Sequence, residues 1–150
     1  MKQLCALLSV LFLLSGCSKT TDVAPDLAAA IAGTYNATKE IDDYPGTKDD
    51  VTINLPTKTI SATIVLTRKT EKTVSLTLNY KIAGQPDDLL EFGDFEVKAN
   101  GGNYDISNIV ANGLIAEGTT GTIINKTLTY KFQSGKTGTG AIYSTFIASK

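Results

Sequence analysis

The chain has 150 residues, a net charge of −1, no histidine, no tryptophan and only two cysteines. Without histidine, serine–histidine–aspartate catalysis, cysteine–histidine catalysis and histidine-built zinc sites are excluded. A slightly acidic chain has no basic field to gather nucleic acid, and its length is that of one domain.

Residues 1–17 read as an export signal. Lys2 gives a positive start, and Leu4 to Leu14 form an apolar run containing only Cys5 and Ser9. That run is about eleven residues, whereas a membrane-spanning helix needs roughly twenty. Leu14-Ser15-Gly16-Cys17 follows and resembles a bacterial lipobox. The alternative is an ordinary secretory signal with a cysteine at the cut. The lipobox resemblance implies cleavage before Cys17 and lipidation of its thiol and new amino group. Multiple acyl chains hold stably where one does not, so the expected anchor is lipid and the expected first partner is a membrane. Residues 18–22 read Ser-Lys-Thr-Thr-Asp. No aspartate follows Cys17 directly and no acidic cluster comes after it, which implies the outer membrane, periplasmic face rather than cell surface. Cleavage would also remove Cys5, leaving no internal disulfide and a fold that must be held by its core.

Residues 18–30 are expected to be a tether. Within and just beyond it, Pro25 to Ala32 reads equally as one or two helical turns or as more tether; Pro25 suits a first turn and Gly33 would stop it. From Gly33 onward the hydrophobic period is two. Val51, Ile53 and Leu55 alternate with Thr52 and Asn54, and Pro56 ends the run. Ile60, Ala62, Ile64 and Leu66 alternate with Ser61, Thr63, Val65 and Thr67. Val74, Leu76, Leu78, Tyr80 and Ile82 alternate with polar neighbours, as do Leu128, Tyr130 and Phe132. Each is the signature of a half-buried strand.

Other stretches are less regular. Phe95 and Val97 share a face, but Leu90 and Phe92 are out of phase with them, which predicts a β-bulge at Gly93. Tyr104 and Ile106 make a short strand, and Leu114 to Glu117 is a further candidate. In the last strand Ile142, Phe146 and Ala148 lie on one face, with Tyr143 and Ile147 on the other, so both faces are expected to be covered. The 21 threonines suit pleated surfaces, and turn signals recur about every ten residues. Eight or nine strands in an even meander predict an all-β, antiparallel, up-and-down eight-stranded barrel, with a β-sandwich as the alternative. The strands' second face is Thr, Ser, Asn and Lys, which suits water rather than lipid.

Ile31-Ala32-Gly33-Thr34-Tyr35 resembles the step that opens lipocalin-like (calycin-like) barrels, with Tyr35 where those proteins carry tryptophan. Lipobox, short tether, threonine-rich strands and a closing strand like Thr127 to Phe132 resemble small Bacteroidota outer-membrane lipoproteins with such a barrel. The resemblance covers residues 31–150. It implies a fold and an address but no reaction, since most of those families have no assigned activity.

No Gly-x-Gly-x-x-Gly follows a strand. Gly135 to Gly140 lacks the strand–loop–helix context of a phosphate loop and reads as a flexible hairpin loop. Asp42-Asp43, Asp49-Asp50 and Asp87-Asp88 are adjacent pairs whose members point to opposite sides of a strand. They do not supply the facing carboxylates of a glycosidase or a known calcium loop, and read as solvated hairpin tips. No catalytic residue, metal ligand set or cofactor is assigned, and the chain is expected not to be an enzyme. An eight-stranded barrel either fills itself or holds one small ligand. Tyr35, Ile64, Leu66, Leu76, Leu78, Tyr80, Phe95, Tyr130, Phe132 and Phe146 are expected to point inward. Tyr35, Leu78, Tyr80 and Tyr130 are the candidate contacts for a small apolar ligand, because a buried tyrosine hydroxyl needs a partner. The alternative is a protein-interaction module, an inhibitor or accessory subunit of an outer-membrane complex, working through turn-rich loops at Asp42 to Asp50 and Ser134 to Gly140.

Overall fold

A computed structural model describes residues 24–109 and 119–150. Its elements are a short helix α1 (Leu27–Ile31) followed by β1 (Gly33–Asp43), β2 (Val51–Asn54), β3 (Ile60–Arg68), β4 (Thr73–Ile82), β5 (Asp88–Asn100), β6 (Asn103–Asn108), β7 (Thr120–Ile124), β8 (Thr127–Thr137) and β9 (Gly140–Ser149). From β3 to β9 each strand pairs antiparallel with the next, and β9 pairs back onto β1. The result is an up-and-down eight-stranded barrel of lipocalin-like type, with β2 as an extra strand. The sandwich alternative fails because the sheet is single and closed.

β1 carries the closure. Gly33 to Asn36 pair with Leu66 to Thr63 of β3, and Lys39 to Asp42 pair with Asn54 to Val51 of β2. Along its other edge β1 runs against β9 from Asn36↔Ser149 to Asp43↔Tyr143. β2 therefore covers the part of β1 that β3 leaves behind.

The alternation read from the sequence sorts side chains as expected. Ala62, Ile64 and Leu66 of β3, Val74, Leu76 and Leu78 of β4, Phe95 and Val97 of β5, and Leu128, Tyr130 and Phe132 of β8 are buried, as are Phe146 and Ala148 of β9. Burying one such side chain stabilises by about 1.5–3 kcal/mol. Three bulges adjust the phase, each adding one unpaired residue: Thr38 in β1, Phe92 in β5 and Ser134 in β8. The expected bulge at Gly93 is the Phe92-Gly93 step, where Gly93 takes φ 83°. It allows Phe92 and Phe95, three residues apart, both to pack into the interior.

Pro25 to Ala32 does form a helix. Its five residues are started by Asp26, whose Oδ1 accepts from the Ala29 N–H at 2.8 Å. That bond, with Arg68 Nε at 2.8 Å from Oδ2, holds the Asp26 carboxyl below its ordinary pKa. The Ala28 N–H donates to the Glu71 carbonyl, so α1 packs at the barrel end that carries the β3–β4 turn. Ala28 and Ile31 are fully buried there.

Three expectations need correction or fall elsewhere. Ser134 to Gly140 is not a loop: β8 runs to Thr137 and turns tightly into β9 at Gly138-Thr139, with Thr137 paired to Gly140. Tyr143 and Ile147 are half-buried rather than covered, the Lys131 ammonium lying 4.9 Å from the Tyr143 ring centre. Leu114 to Glu117 lies outside the described residues. Meanwhile β7 was not expected at all. Gly121 interrupts its pattern, yet the glycine is required by packing: a Cβ there would sit 2.6 Å from Cγ1 of the buried Ile106.

Gly121→Ala is therefore expected to destabilise by about 1–3 kcal/mol through overpacking. Combining it with Ile106→Ala should cost less than the two single losses summed. Denaturant midpoints of the four proteins check this; strict additivity would show that the two residues do not share the space.

Candidate functional site

Among the described residues the two ends of the barrel each carry a cavity lined by inward side chains, and a further hollow of about 340 Å³ lies outside, between the β2–β3 and β4–β5 connections. The larger, about 480 Å³, lies beside α1 and is lined by Ala30, Ile31, Tyr35, Gly102, Tyr104, Ile123, Asn125, Lys126 and Lys150. Its polar groups are largely committed within the fold. The Tyr35 hydroxyl donates to the Ile31 carbonyl at 2.7 Å, and Lys150 Nζ donates to the Ala32 carbonyl at 2.6 Å. Burial raises the Tyr35 pKa.

The second cavity, about 280 Å³, lies at the opposite end. Its lining comes from five strands: Glu40 of β1, Leu78 and Tyr80 of β4, Asp88 and Leu90 of β5, Phe132 and Ser134 of β8, and Ser144 and Phe146 of β9. The floor is apolar and aromatic. Tyr80 meets Phe146 edge-on at 6.2 Å, and Phe132 stacks on Phe146 at 6.1 Å with ring planes 4° apart. Phe92 packs edge-on against both Phe132 and Tyr130, continuing the rings into the interior.

The wall of this cavity depends on the Thr38 bulge. Tyr35 and Ala37 face inward, so strict alternation would turn Lys39 and Ile41 inward and Glu40 outward. The extra residue reverses the phase. Glu40 now sits opposite Phe146, and Asp42 opposite the buried Ser144. Glu40 is 8% exposed. Tyr80 Oη donates to its Oε2 at 2.9 Å, and no further hydrogen bond reaches the carboxyl from the described residues. Ser144 Oγ donates to Asp42 Oδ1 at 2.5 Å. Burial pushes the Glu40 pKa up; the Tyr80 hydrogen bond opposes this and the Asp42 charge adds to it. The Tyr80 hydroxyl is driven well above its ordinary range, first by burial and then by the neighbouring Glu40.

The four candidate ligand contacts divide. Leu78 and Tyr80 share the cavity opposite α1. Tyr35 lines the other one, with its hydroxyl already satisfied. Tyr130 lines neither: it is fully buried against Phe92, Phe95 and Phe132, and burial raises its pKa strongly. Its hydroxyl has no hydrogen-bond partner among the described residues. Cys17 lies outside the described residues. The reading of all three acidic pairs as solvated tips is corrected for Asp42, which turns inward onto Ser144; Asp88 is exposed as expected, at the cavity rim. Asp49 and Asp50 are exposed, and Asp87 pairs with Lys81 at 2.7 Å. Among the described residues there is no group of three or more His, Cys, Asp or Glu placed to hold a metal ion, and no helix is long and apolar enough to cross a membrane.

Glu40 is the cavity residue that sequence reasoning missed. The sequence carries no signal for it: Tyr35, Ala37 and then Ile41 keep an odd phase that would turn Glu40 outward, and nothing in Ala37-Thr38-Lys39 announces a bulge. Comparison with protein-family models, curated proteins and solved structures gives no match.

The raised Glu40 pKa has a defined consequence for stability. The folded protein binds this proton more tightly than the unfolded chain. Stability is therefore lost as pH rises from about 4.5, the ordinary glutamate value, through the folded value. Glu40→Gln keeps an acceptor for Tyr80 and removes the charge. The variant should melt higher than the parent at neutral pH, and the difference should vanish on acidification below 4.5. A difference independent of pH would show that the charge is not what matters.

Proposed function

We propose that this chain is a lipid-anchored outer-membrane lipoprotein of the Bacteroidota type, facing the periplasm, whose barrel binds a small apolar ligand and does no catalysis. The observation that carries the binding role is the cavity opposite α1, with Leu78, Phe132 and Phe146 in its floor. Pockets that combine an apolar lining with a few placed polar groups are typical small-molecule sites, and Tyr80 and Glu40 supply those groups here. The lipobox reading of Leu14 to Cys17 supports the address, and the missing histidine, with no cysteine among the described residues, supports a non-catalytic role.

Native mass spectrometry of the protein purified gently from its host tests the binding role. One extra mass that disappears on denaturation is expected, and Leu78→Ala or Tyr80→Ala should reduce its occupancy. A bare chain mass, or occupancy unchanged in both variants, would place function elsewhere. The anchor has its own test: metabolic labelling with an alkyne fatty acid should mark the wild type and not Cys17→Ala.

A second reading, a protein-interaction module in an outer-membrane complex, is favoured by one observation. The exposed residues Tyr44, Val51, Ile82, Leu89 and Leu90 all belong to strand ends or connections on the side away from α1. In-cell crosslinking from this rim that captures a single partner would favour it over the ligand reading.

A further inference from the structure

The cavity opposite α1 has a charge character that narrows its ligand. Its lining contains two carboxylates, Glu40 and Asp88, and no lysine or arginine. Asp42 adds a third negative group just behind, bonded to the Ser144 hydroxyl. Asp88 is exposed at the rim, but Glu40 is nearly buried and its Oε1 has no hydrogen-bond partner among the described residues. Oε1 is not among the fully buried atoms that lack a partner, so it opens to the cavity, where a cation or donor can meet it. The rings beside it are Tyr80, Phe132 and Phe146, whose faces attract cations. A neutral apolar molecule would cover the rings and strand the carboxylate, and a fatty acid would place like charges together.

We propose that this cavity takes a small apolar molecule bearing a protonated amine, the ammonium pairing with Glu40 and the apolar body lying against Phe132, Phe146 and Leu78. The inference rests on the reading above that the cavity holds a ligand, and adds the ligand's chemical class. Glu40 is the specificity-determining residue, and Tyr80 positions it by holding Oε2 so that Oε1 faces the ligand. The opposite cavity has the contrary character, with Lys126 and Lys150 in its lining.

Three probes of equal chain length separate the possibilities: octylamine, octanol and octanoate, each titrated calorimetrically into the full barrel protein at neutral pH. Octylamine is expected to bind about tenfold more tightly than octanol, as one charge-assisted hydrogen bond allows, with octanoate weakest. In Glu40→Gln the amine advantage should collapse while octanol binding is retained. Equal binding of octylamine and octanol by the wild type would overturn the amine inference and leave the ligand-binding reading standing. Tightest binding of octanoate would overturn it in favour of the lysine-lined cavity. If none of the three binds, the ligand reading falls and the inference with it.

Discussion

The ladder between β1 and β9 turns a twisted meander into a barrel. An open sheet of these strands would leave two edges of unpaired N–H and C=O groups, and closure removes them. β1 can close the sheet only by serving three neighbours: β9 along one edge, then β3 and β2 in succession along the other. The Thr38 bulge lies where β1 passes from β3 to β2, and it bends the strand at that point. The same extra residue that accommodates closure brings Glu40 and Asp42 inside. The chemistry of the cavity is thus a by-product of how the first strand meets its partners.

Inside the barrel, rings do most of the filling. Tyr80, Phe146, Phe132 and Tyr130 touch in sequence from one mouth into the interior, and Phe92 and Phe95 each pack on Tyr130. Such contacts give specific geometry beyond the area they bury. Three inward tyrosines, Tyr35, Tyr80 and Tyr130, show three fates for the hydroxyl. Tyr35 is satisfied by the backbone of α1, Tyr80 by a carboxylate, and Tyr130 by nothing among the described residues. Of the three, only Tyr80 couples its hydroxyl to an ionisable group, so a carboxylate enters the cavity away from α1 while lysines line the one beside it.

Most of the fold was legible because most strands obey a strict period of two. β3, β4 and the first half of β8 have apolar residues at every second position, and their inward faces follow directly. The Phe92-Gly93 bulge was legible too, because two apolar phases collide across a glycine. β7 was not: Gly121 stands where an inward apolar residue belongs, since Ile106 fills that volume from the neighbouring strand. A cue survives in the Asn125-Lys126 turn, both residues at positive φ as a two-residue hairpin demands. The cavity itself was half legible. Leu78 and Tyr80 follow from alternation, but Glu40 does not, because a bulge without a glycine leaves no mark on the pattern. Tyr35 was misjudged as a companion of Tyr80, since alternation tells which face a residue takes and not which end of the barrel it serves.

The pairing of Asn36 with Ser149 joins residues from nearly opposite ends of the described chain. Neighbouring hairpins such as β3–β4 and β8–β9 can form from local sequence, but this ladder requires the polypeptide to circle almost completely before its final strand is captured. Topologies dominated by such remote contacts fold slowly. Until β9 arrives, β1 presents one bare edge along the very stretch that holds Glu40 and Asp42. As long as that edge is bare, the inner carboxylates keep their water. The cost of burying them thus belongs to the β1–β9 ladder that closes the ring rather than to the hairpins that build the sheet.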